Sequence, residues 1–204
     1  MFNMIKYFIK QSWLLIISSF IFGLLIAVTN ASLDPMIQQN KKDKINNTMG
    51  KLITGATDFN IVAQGLDVPD QKGKIIKTDV YQGKNKNGRT LGYAFIASGP
   101  GFADKIELVI AVDTAFKKFL GFNVLSSNET PGFGDKIKND FYRGQFTNLP
   151  VVSIELVKVG KSKSSQVTAI TGATISSNAV VSIFNNYSDI VKKQLKAKGL
   201  INNE

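Results

Sequence analysis

The stretch "TLGYAFIASGPGFADKIELVIAVD", residues 90–113, holds two runs in which apolar side chains recur at every second position. The first run places on one face Leu91, Tyr93, Phe95 and Ala97. In the second run, Ile106, Leu108, Ile110 and Val112 alternate with Glu107, Val109, Ala111 and Asp113. A period of two is typical of β-strands, and the "GPGF" between the runs breaks the first. The stretch therefore predicts two strands of one sheet.

Further strand candidates lie on both sides of this pair. Upstream, "DVYQG" (79–83) leads into "KNKNGR" (84–89), whose Asn-Gly pair favours a hairpin turn. Downstream, "FLGFNVLSS" (119–127) and "VVSIELVKV" (151–159) read as strands. Residues 56–77 are less periodic, and we predict a loop with short strands there.

Two segments have the apolar spacing of a helix. In "SNAVVSIFNNYSDIVKKQLKAKG" (177–199), one helical face carries Val180, Ile183, Phe184, Tyr187, Leu195 and either Ile190 or Val191. Gly199 fits the end of this helix. A shorter helix is predicted from Ile45, Met49, Leu52 and Ile53. The predicted fold is α+β: an antiparallel sheet with the C-terminal helix packed on it.

An uncharged apolar stretch, residues 11–33, precedes this domain. As a helix at ~1.5 Å per residue it would be about 35 Å long, enough for a hydrocarbon core of ~30 Å. Lys6 and Lys10 precede it and Asp34 follows, so we expect a single-pass cell-membrane anchor with a cytoplasmic N-terminus and an extracytoplasmic domain. The alternative is a signal peptide cleaved before Ser32. We predict an anchor at 1–33, a linker and helical lead-in at 34–77, and the folded domain at 78–204.

The composition excludes several classes of chemistry. The chain has no Cys and no His, which rules out a thiolate nucleophile, a Ser-His-Asp triad and an ordinary zinc or iron–sulfur site. We therefore predict neither metal ligands nor catalytic residues, and any redox chemistry requires an organic cofactor. The net charge of +10 does not indicate nucleic acid, because no nucleic-acid-binding motif accompanies it. Anionic membrane lipid is a better partner for this charge.

The pentapeptide "ITGAT" occurs twice, at residues 53–57 and 170–174. The first copy follows a predicted helix, so Gly55 suits a helix stop, and Asp58 would repel a phosphate. The second copy follows a short strand, "QVTAI", and precedes the long helix, which we expect to begin about two residues later. Free N–H groups at a helix N-terminus favour a phosphate, although hydroxyls there can also serve only as caps. The residues alone leave both interpretations of the second copy open.

Three segments resemble one known family. "TGATISSNAV" resembles the flavinylation motif of the FMN-binding domain found in the G subunit of Rnf complexes and the C subunit of sodium-pumping NADH:quinone reductases. "GYAFIASGPGFADKIELVIAVD" resembles the central strands of that domain, and "NETPGFGDKI" resembles its "ETPGLG" loop. Thr168 stands where the family usually has an acidic residue, three positions before its "[ST]GAT" element.

The resemblance implies that a separate flavin transferase esterifies Thr174 to the phosphate of FMN. The residues it implies around the phosphate are Thr171, Gly172, Ala173, Thr174, Ser176 and Ser177. Those it implies beside the ring or the ribityl chain are Glu129, Thr130, Gly132, Phe133 and Gly134. Phe133 is the expected apolar lid, although the loop could also be only a Pro-Gly turn that joins two elements. Lys136 is either a partner of the phosphate or an exposed surface lysine, and Glu129 is either a site residue or a surface carboxylate.

The implied function is a membrane-anchored electron-transfer subunit of an Rnf-type ion-translocating ferredoxin:NAD oxidoreductase, acting with other membrane and redox subunits. Such a chain would turn over no soluble substrate by itself. The alternatives are the C subunit of a sodium-pumping NADH:quinone reductase, a non-redox assembly protein tethered to the membrane, and a module that binds a phosphorylated ligand reversibly.

Overall fold

A computed structural model of the chain describes residues 2–69, 73, 75–160 and 162–201, without the side chains of residues 2–6, 8 and 9. It divides into two compact units, Met1–Asp43 and Lys44–Glu204. The elements are α1 Phe2–Leu52, β1 Asp58–Pro69, β2 Ile75–Lys84, β3 Thr90–Pro100, β4 Lys105–Val112, β5 Phe119–Ser126, α2 Asp140–Arg143, β6 Glu155–Val157, β7 Gln166–Thr168 and α3 Thr174–Ala197. Two short 3-10 helices, Gly134–Lys138 and Gly144–Phe146, flank α2.

The first unit consists of the N-terminal part of α1. Within Lys10–Leu52 lies an apolar window of mean hydropathy 2.2 in which no residue is buried. It is the one segment of the described residues that is long and apolar enough to cross a membrane. The helix predicted after the anchor is the last part of α1 and not a separate element. Pro35 lies inside α1, where it removes one backbone donor but does not end the helix.

Five antiparallel strands, β1 to β5, form the main sheet of the second unit in chain order. The predicted strand pair is confirmed, since β3 and β4 pair from Tyr93↔Val112 to Pro100↔Lys105. The predicted hairpin between β2 and β3 is also confirmed: the N–H of Asn85 donates to the carbonyl of Arg89, and Gly88 has a φ of 75°. The alternation of β4 is as predicted. One apolar cluster contains Ile106, Leu108, Ile110 and Val112, and a second cluster contains Val109 and Ala111.

Both faces of the sheet are covered by helical residues. On one face lies α3, whose predicted apolar stripe is buried, from Val180 and Phe184 to Leu195. On the other face, Ile45, Met49 and Ile53 at the end of α1 pack against Ala94, Val109 and Ala111. A two-sided core of this kind explains why β3 and β4 are apolar on both faces. The predicted α+β class, with the C-terminal helix on an antiparallel sheet, is confirmed.

Leu91 does not share the face of Tyr93, as its spacing predicted, but packs in the cluster on the opposite side. The cause is a bulge, since Gly83 pairs with Gly92 while the neighbouring Lys84 pairs with Thr90. One extra residue between two pairs reverses the side of every residue beyond it.

Residues 56–77 contain more sheet than the predicted loop with short strands. β1 fills residues 58–69, and β2 begins at residue 75, so the expected boundary at residue 77 falls inside β2; residues 70–72 and 74 lie outside the described part. Two register shifts interrupt the pairing of β1 with β2, and Gly65 has a φ of 62°. These irregularities remove the alternation by which a strand is recognised in sequence.

The predicted strand 151–159 is reduced to β6, Glu155–Val157, which pairs in parallel with β7. The preceding residues have other partners: the N–H of Val151 donates to the carbonyl of Lys117, and Asn185 on α3 accepts from the N–H of Ile154 and donates to its carbonyl. The Asn185 side chain thus uses both the N–H and the carbonyl group of Ile154, so a neighbouring strand cannot form hydrogen bonds with this residue.

The first "ITGAT" is a helix stop in the structure. α1 ends at Leu52, Ile53 is buried, and Gly55 has a φ of 87°.

We expect Gly55→Ala to lower the free energy of unfolding by about 1–2 kcal/mol, because an L residue is strained in this conformation. An added Cβ would lie 3.5 Å from Leu91, an ordinary contact, so the strain should be the whole effect. Urea unfolding measures it, and an unchanged midpoint would contradict the assignment.

Candidate functional site

The second "ITGAT" joins β7 to the first turn of α3. Gly172 has a φ of 81°, a conformation that suits glycine. The helix begins at Thr174, two residues earlier than predicted, so the last threonine of the motif is the first helical residue. Its side chain is exposed. The first helical hydrogen bond runs from the N–H of Ser177 to the carbonyl of Ala173, at 3.0 Å.

The three N–H groups at the start of α3 are unpaired within the described part of the chain. They belong to Thr174, Ile175 and Ser176, and the residue before them, Ala173, offers no side-chain cap. Such groups carry the positive end of the helix dipole and favour an anion. The hydroxyls of the motif therefore do not cap this helix end, which was the alternative left open by the sequence.

The "ETPGFG" loop lies against this helix end. The N–H of Phe133 donates to the carbonyl of Thr130, and Gly132 has a φ of 77°. The Phe133 side chain is 56% exposed, and its ring would lie 3.4 Å from a Cβ placed on Gly172. Two motifs that are far apart in sequence therefore meet in space.

Between the loop and the helix lies a cleft with a volume of about 500 Å³. Its lining consists of Phe102, Thr130, Phe133, Gly134, Gly172, Ala173, Thr174, Ile175 and Ser176. The side chains of Phe102, Phe133 and Ile175 are each more than half exposed, which is unusual for large apolar residues grouped around one opening. The cleft thus joins an apolar rim to a helix end that favours a phosphate.

Glu129 is buried beneath this cleft, with 4% of its surface exposed. One carboxylate oxygen accepts from the N–H groups of Phe102 (2.9 Å) and Ala103 (3.1 Å), and the other accepts from the hydroxyl of Ser176. This side chain therefore ties the loop after β3 to the first turn of α3. It is not a surface carboxylate.

Comparison with known proteins assigns the family. The FMN-binding domain family matches residues 101–189, a range that contains the whole lining of the cleft. Over 180 residues the chain is 31% identical to the G subunit of the ion-translocating oxidoreductase complex of Methanosarcina acetivorans, covering 88% of this chain and 92% of the relative. The chain belongs to the G-subunit family of ion-translocating oxidoreductase complexes. The resemblance inferred from its motifs is thus confirmed.

A second relative in the G-subunit family is more similar over a shorter range. The G subunit of the proton-translocating ferredoxin:NAD(+) oxidoreductase complex of Clostridium ljungdahlii is 35% identical over 166 residues, covering 81% of this chain and 82% of the relative. Solved structures with the same fold include NqrC of Shewanella oneidensis, with a TM-score of 0.56, 19% identity, and 70% and 72% of the two chains covered. The C subunit of the Na(+)-translocating NADH-quinone reductase from Parabacteroides distasonis has a TM-score of 0.54, 19% identity, and coverages of 76% and 94%.

Most of the site residues expected from the G-subunit resemblance lie at the cleft. Seven of them line it: Thr130, Phe133, Gly134, Gly172, Ala173, Thr174 and Ser176. Four others do not: Thr171, Gly132, Glu129 and Ser177. Lys136 is also absent from the lining.

Among the described residues, no cluster of three or more acidic side chains could hold a metal ion.

Two residues at the rim, Phe102 and Ile175, were not anticipated. The "GPGF" stretch does not break β3 where predicted, because Gly99 and Pro100 still pair with β4; Phe102 lies in the loop just beyond, where its N–H donates to Glu129. No local pattern in the sequence indicated this role, because it depends on a contact with Glu129, 27 positions away. Ile175 lies inside the motif itself, where an apolar residue next to three hydroxyl-bearing ones indicates a contact with an apolar part of a ligand.

Ser177 acts inside the protein and not at the cleft surface. It is fully buried, accepts from the N–H of Ile170 (3.0 Å) and donates to the carbonyl of Ala173 (2.9 Å). Its own carbonyl accepts from the hydroxyl of Tyr142, at 3.0 Å. These bonds fix the turn that presents Thr174.

Burial raises the pKa of Tyr142 well above its ordinary value of 10.0. The unfolded chain loses this proton near pH 10 while the folded chain keeps it, so stability is full below pH 10 and falls above it. In wild type, this group should lower the free energy of unfolding by about 1.4 kcal/mol for each pH unit above 10. Tyr142→Phe has no hydroxyl to titrate, so we expect this part of the pH dependence to disappear. Urea unfolding at pH 9 to 11 compares the two slopes, and equal slopes would contradict the burial of a neutral hydroxyl.

Proposed function

We propose that this chain is a membrane-anchored electron-transfer subunit that carries FMN, covalently bound through a phosphoester to Thr174, in an Rnf-type ion-translocating ferredoxin:NAD oxidoreductase. The observation that carries the proposal is the single cleft that joins the "ETPGFG" loop to the first turn of α3. Membership of the G-subunit family and the match to the FMN-binding domain support it.

The residues of the cleft suit the two ends of FMN. The unpaired N–H groups of Thr174, Ile175 and Ser176 can bind phosphate oxygens. The exposed rings of Phe102 and Phe133 can cover a flat apolar ring system and exclude water from it. FMN supplies the ability to accept and release electrons, while the protein holds and orients it.

Attachment requires an accessible hydroxyl and an activated flavin phosphate. The Thr174 side chain is exposed, and no His or Cys in the chain can activate it. We propose that a flavin transferase uses FAD: the bond from Thr174 Oγ1 to the flavin phosphate forms, the bond between the two phosphates breaks, AMP leaves and the hydroxyl proton is released. The chain then gains the mass of one FMN less one water.

The proposed setting is the cell membrane. The exposed apolar window in α1 is long enough to span it, and we assign the anchor to residues 1–33, while the cleft belongs to the unit Lys44–Glu204. The basic residues Lys6 and Lys10 before the apolar stretch, and Asp34 after it, favour a cytoplasmic N-terminus, so we propose that the cleft lies on the extracytoplasmic side. Anionic lipid and the other subunits of the complex are the proposed partners.

The second candidate function is that of the C subunit in a sodium-pumping NADH:quinone reductase. The similarity to known proteins supports it less than it supports a G subunit. The solved C-subunit structures share the fold at 19% identity, whereas the G-subunit relatives reach 31% and 35%. A search for co-purifying subunits separates the two: an Rnf-type complex contains ferredoxin-oxidising partners, and a quinone reductase does not.

The test of the proposed function is the production of the full chain with and without a flavin transferase. We expect flavin fluorescence that survives denaturation, and a mass gain of one FMN less one water, only when the transferase is present. Flavin that is lost on denaturation would support a reversible phosphate-binding module. No flavin at all would support a tethered assembly protein.

A further inference from the structure

Glu129 is a buried carboxylate without a cationic partner among the described residues. Its three hydrogen-bond donors, the N–H groups of Phe102 and Ala103 and the hydroxyl of Ser176, are all neutral. The salt bridges of the described residues, Lys105–Glu107 and Arg143–Asp140, do not include it. The carboxylate is therefore held by hydrogen bonds alone, with no neighbouring cation to compensate a negative charge on it.

Two glycines hold this carboxylate in one position. A Cβ on Gly134 would lie 2.7 Å from one of its oxygens and 2.5 Å from Ser176 Oγ, and a Cβ on Gly101 would collide with the other oxygen. The carboxylate therefore fills the space that these two residues leave free. Its place is set by packing as well as by hydrogen bonds.

The charge lies directly behind the wall of the cleft. Three neighbours of Glu129 line the cleft, namely Phe102, Gly134 and Ser176, whereas Glu129 itself does not. One layer of residues thus separates the carboxylate from any molecule in the cleft. A charge at this depth acts through protein more than through water, so it interacts more strongly with a molecule in the cleft than a surface carboxylate at the same distance would.

We propose that Glu129 is a positioning residue that also lowers the reduction potential of the flavin, an inference that rests on the proposed function. It fixes the backbone of Phe102 on one side of the cleft and Ser176 on the other without touching the cofactor. Reduction by two electrons and one proton gives the flavin one additional negative charge. The neighbouring carboxylate repels this charge and so favours the oxidised form.

The test is the midpoint potential of flavin-loaded full-length protein, titrated with dithionite, in Glu129→Gln. Glutamine has the same shape and can keep all three hydrogen bonds, because its oxygen accepts the two N–H groups and its amide donates to Ser176. We expect the ratio of reduced to oxidised flavin at a fixed potential to rise about tenfold, an upward shift of about 30 mV for a two-electron couple. Glu107→Gln is the matched control, since it removes one carboxylate charge on β4 that does not line the cleft and is paired with Lys105, so it should leave the potential unchanged.

Ser176→Ala is a second variant that keeps the charge but removes a donor. The carboxylate is then less well screened, so we expect the potential to fall, opposite to the effect of Glu129→Gln. If both variants carry covalent flavin at the wild-type potential, Glu129 only supports the fold and the inference is wrong, while the proposed function stands. If wild type made with the transferase carries no flavin, both fail. If Glu129→Gln does not fold, the potential of Ser176→Ala decides.

Discussion

Thr174→Val should abolish the covalent flavin completely when the full chain is produced with an active transferase. Valine has nearly the same shape as threonine but lacks the hydroxyl that forms the ester. Thr174 makes no side-chain hydrogen bond within the described residues, and its side chain is exposed, so stability should change by less than about 0.5 kcal/mol. In-gel flavin fluorescence after denaturation, together with the intact mass, measures the loss.

The matched control comes from the first copy of the motif. Thr57→Val changes an exposed threonine that does not line the cleft and that corresponds to Thr174 in the first "ITGAT". It should keep wild-type flavin. Flavin that persists in Thr174→Val, or that disappears in Thr57→Val, would refute the assignment of the attachment residue.

Gly134→Ala should cost about 1–3 kcal/mol of stability and deform the cleft. The new methyl group would meet Ser176 Oγ at 2.5 Å and a Glu129 oxygen at 2.7 Å, so it would push apart a buried, charge-assisted hydrogen bond. Thermal unfolding followed by near-ultraviolet circular dichroism should show a midpoint lowered by about 2–4 °C for each kcal/mol. The yield of covalent flavin should fall as well, because the same contact positions the first turn of α3.

Gly144→Ala is the control for this substitution. Gly144 has a φ of −59° and a ψ of −21°, and a Cβ there would meet no atom within 4 Å. Alanine should therefore be neutral, within about 0.5 kcal/mol. Equal melting temperatures for Gly134→Ala and Gly144→Ala would show that the packing around Glu129 is looser than the structure has it.

The regular parts of the fold could be predicted from the sequence because local periodicity determines them. The alternation in β4 and the helical stripe of α3 each report a buried face, and Gly199, with a φ of 68°, ends α3 as expected. Prediction failed where a non-local partner decides. Asn185 takes the backbone of Ile154 and shortens β6, and a bulge opposite Lys84 moves Leu91 to the other face.

The site was predictable as two motifs but not as one arrangement. The loop around Phe133 and the turn around Thr174 each had a recognisable sequence, and the structure brings them to one cleft. The contribution of Phe102 depends on a hydrogen bond to Glu129 across 27 positions of sequence, and no local pattern encodes it. The same holds for the burial of Glu129, which a surface loop rich in Gly and Pro did not suggest.

The most direct test of covalent attachment at Thr174 is fragment-ion mass spectrometry of the flavin-bearing tryptic peptide from wild-type protein. The two copies of "ITGAT" fall on different peptides, residues 52–72 and 164–192. We predict one FMN less one water on the second peptide, with fragment ions that place it at Thr174. Flavin on the first peptide, or fragments that place it at Thr171 or Ser176, would contradict attachment at Thr174.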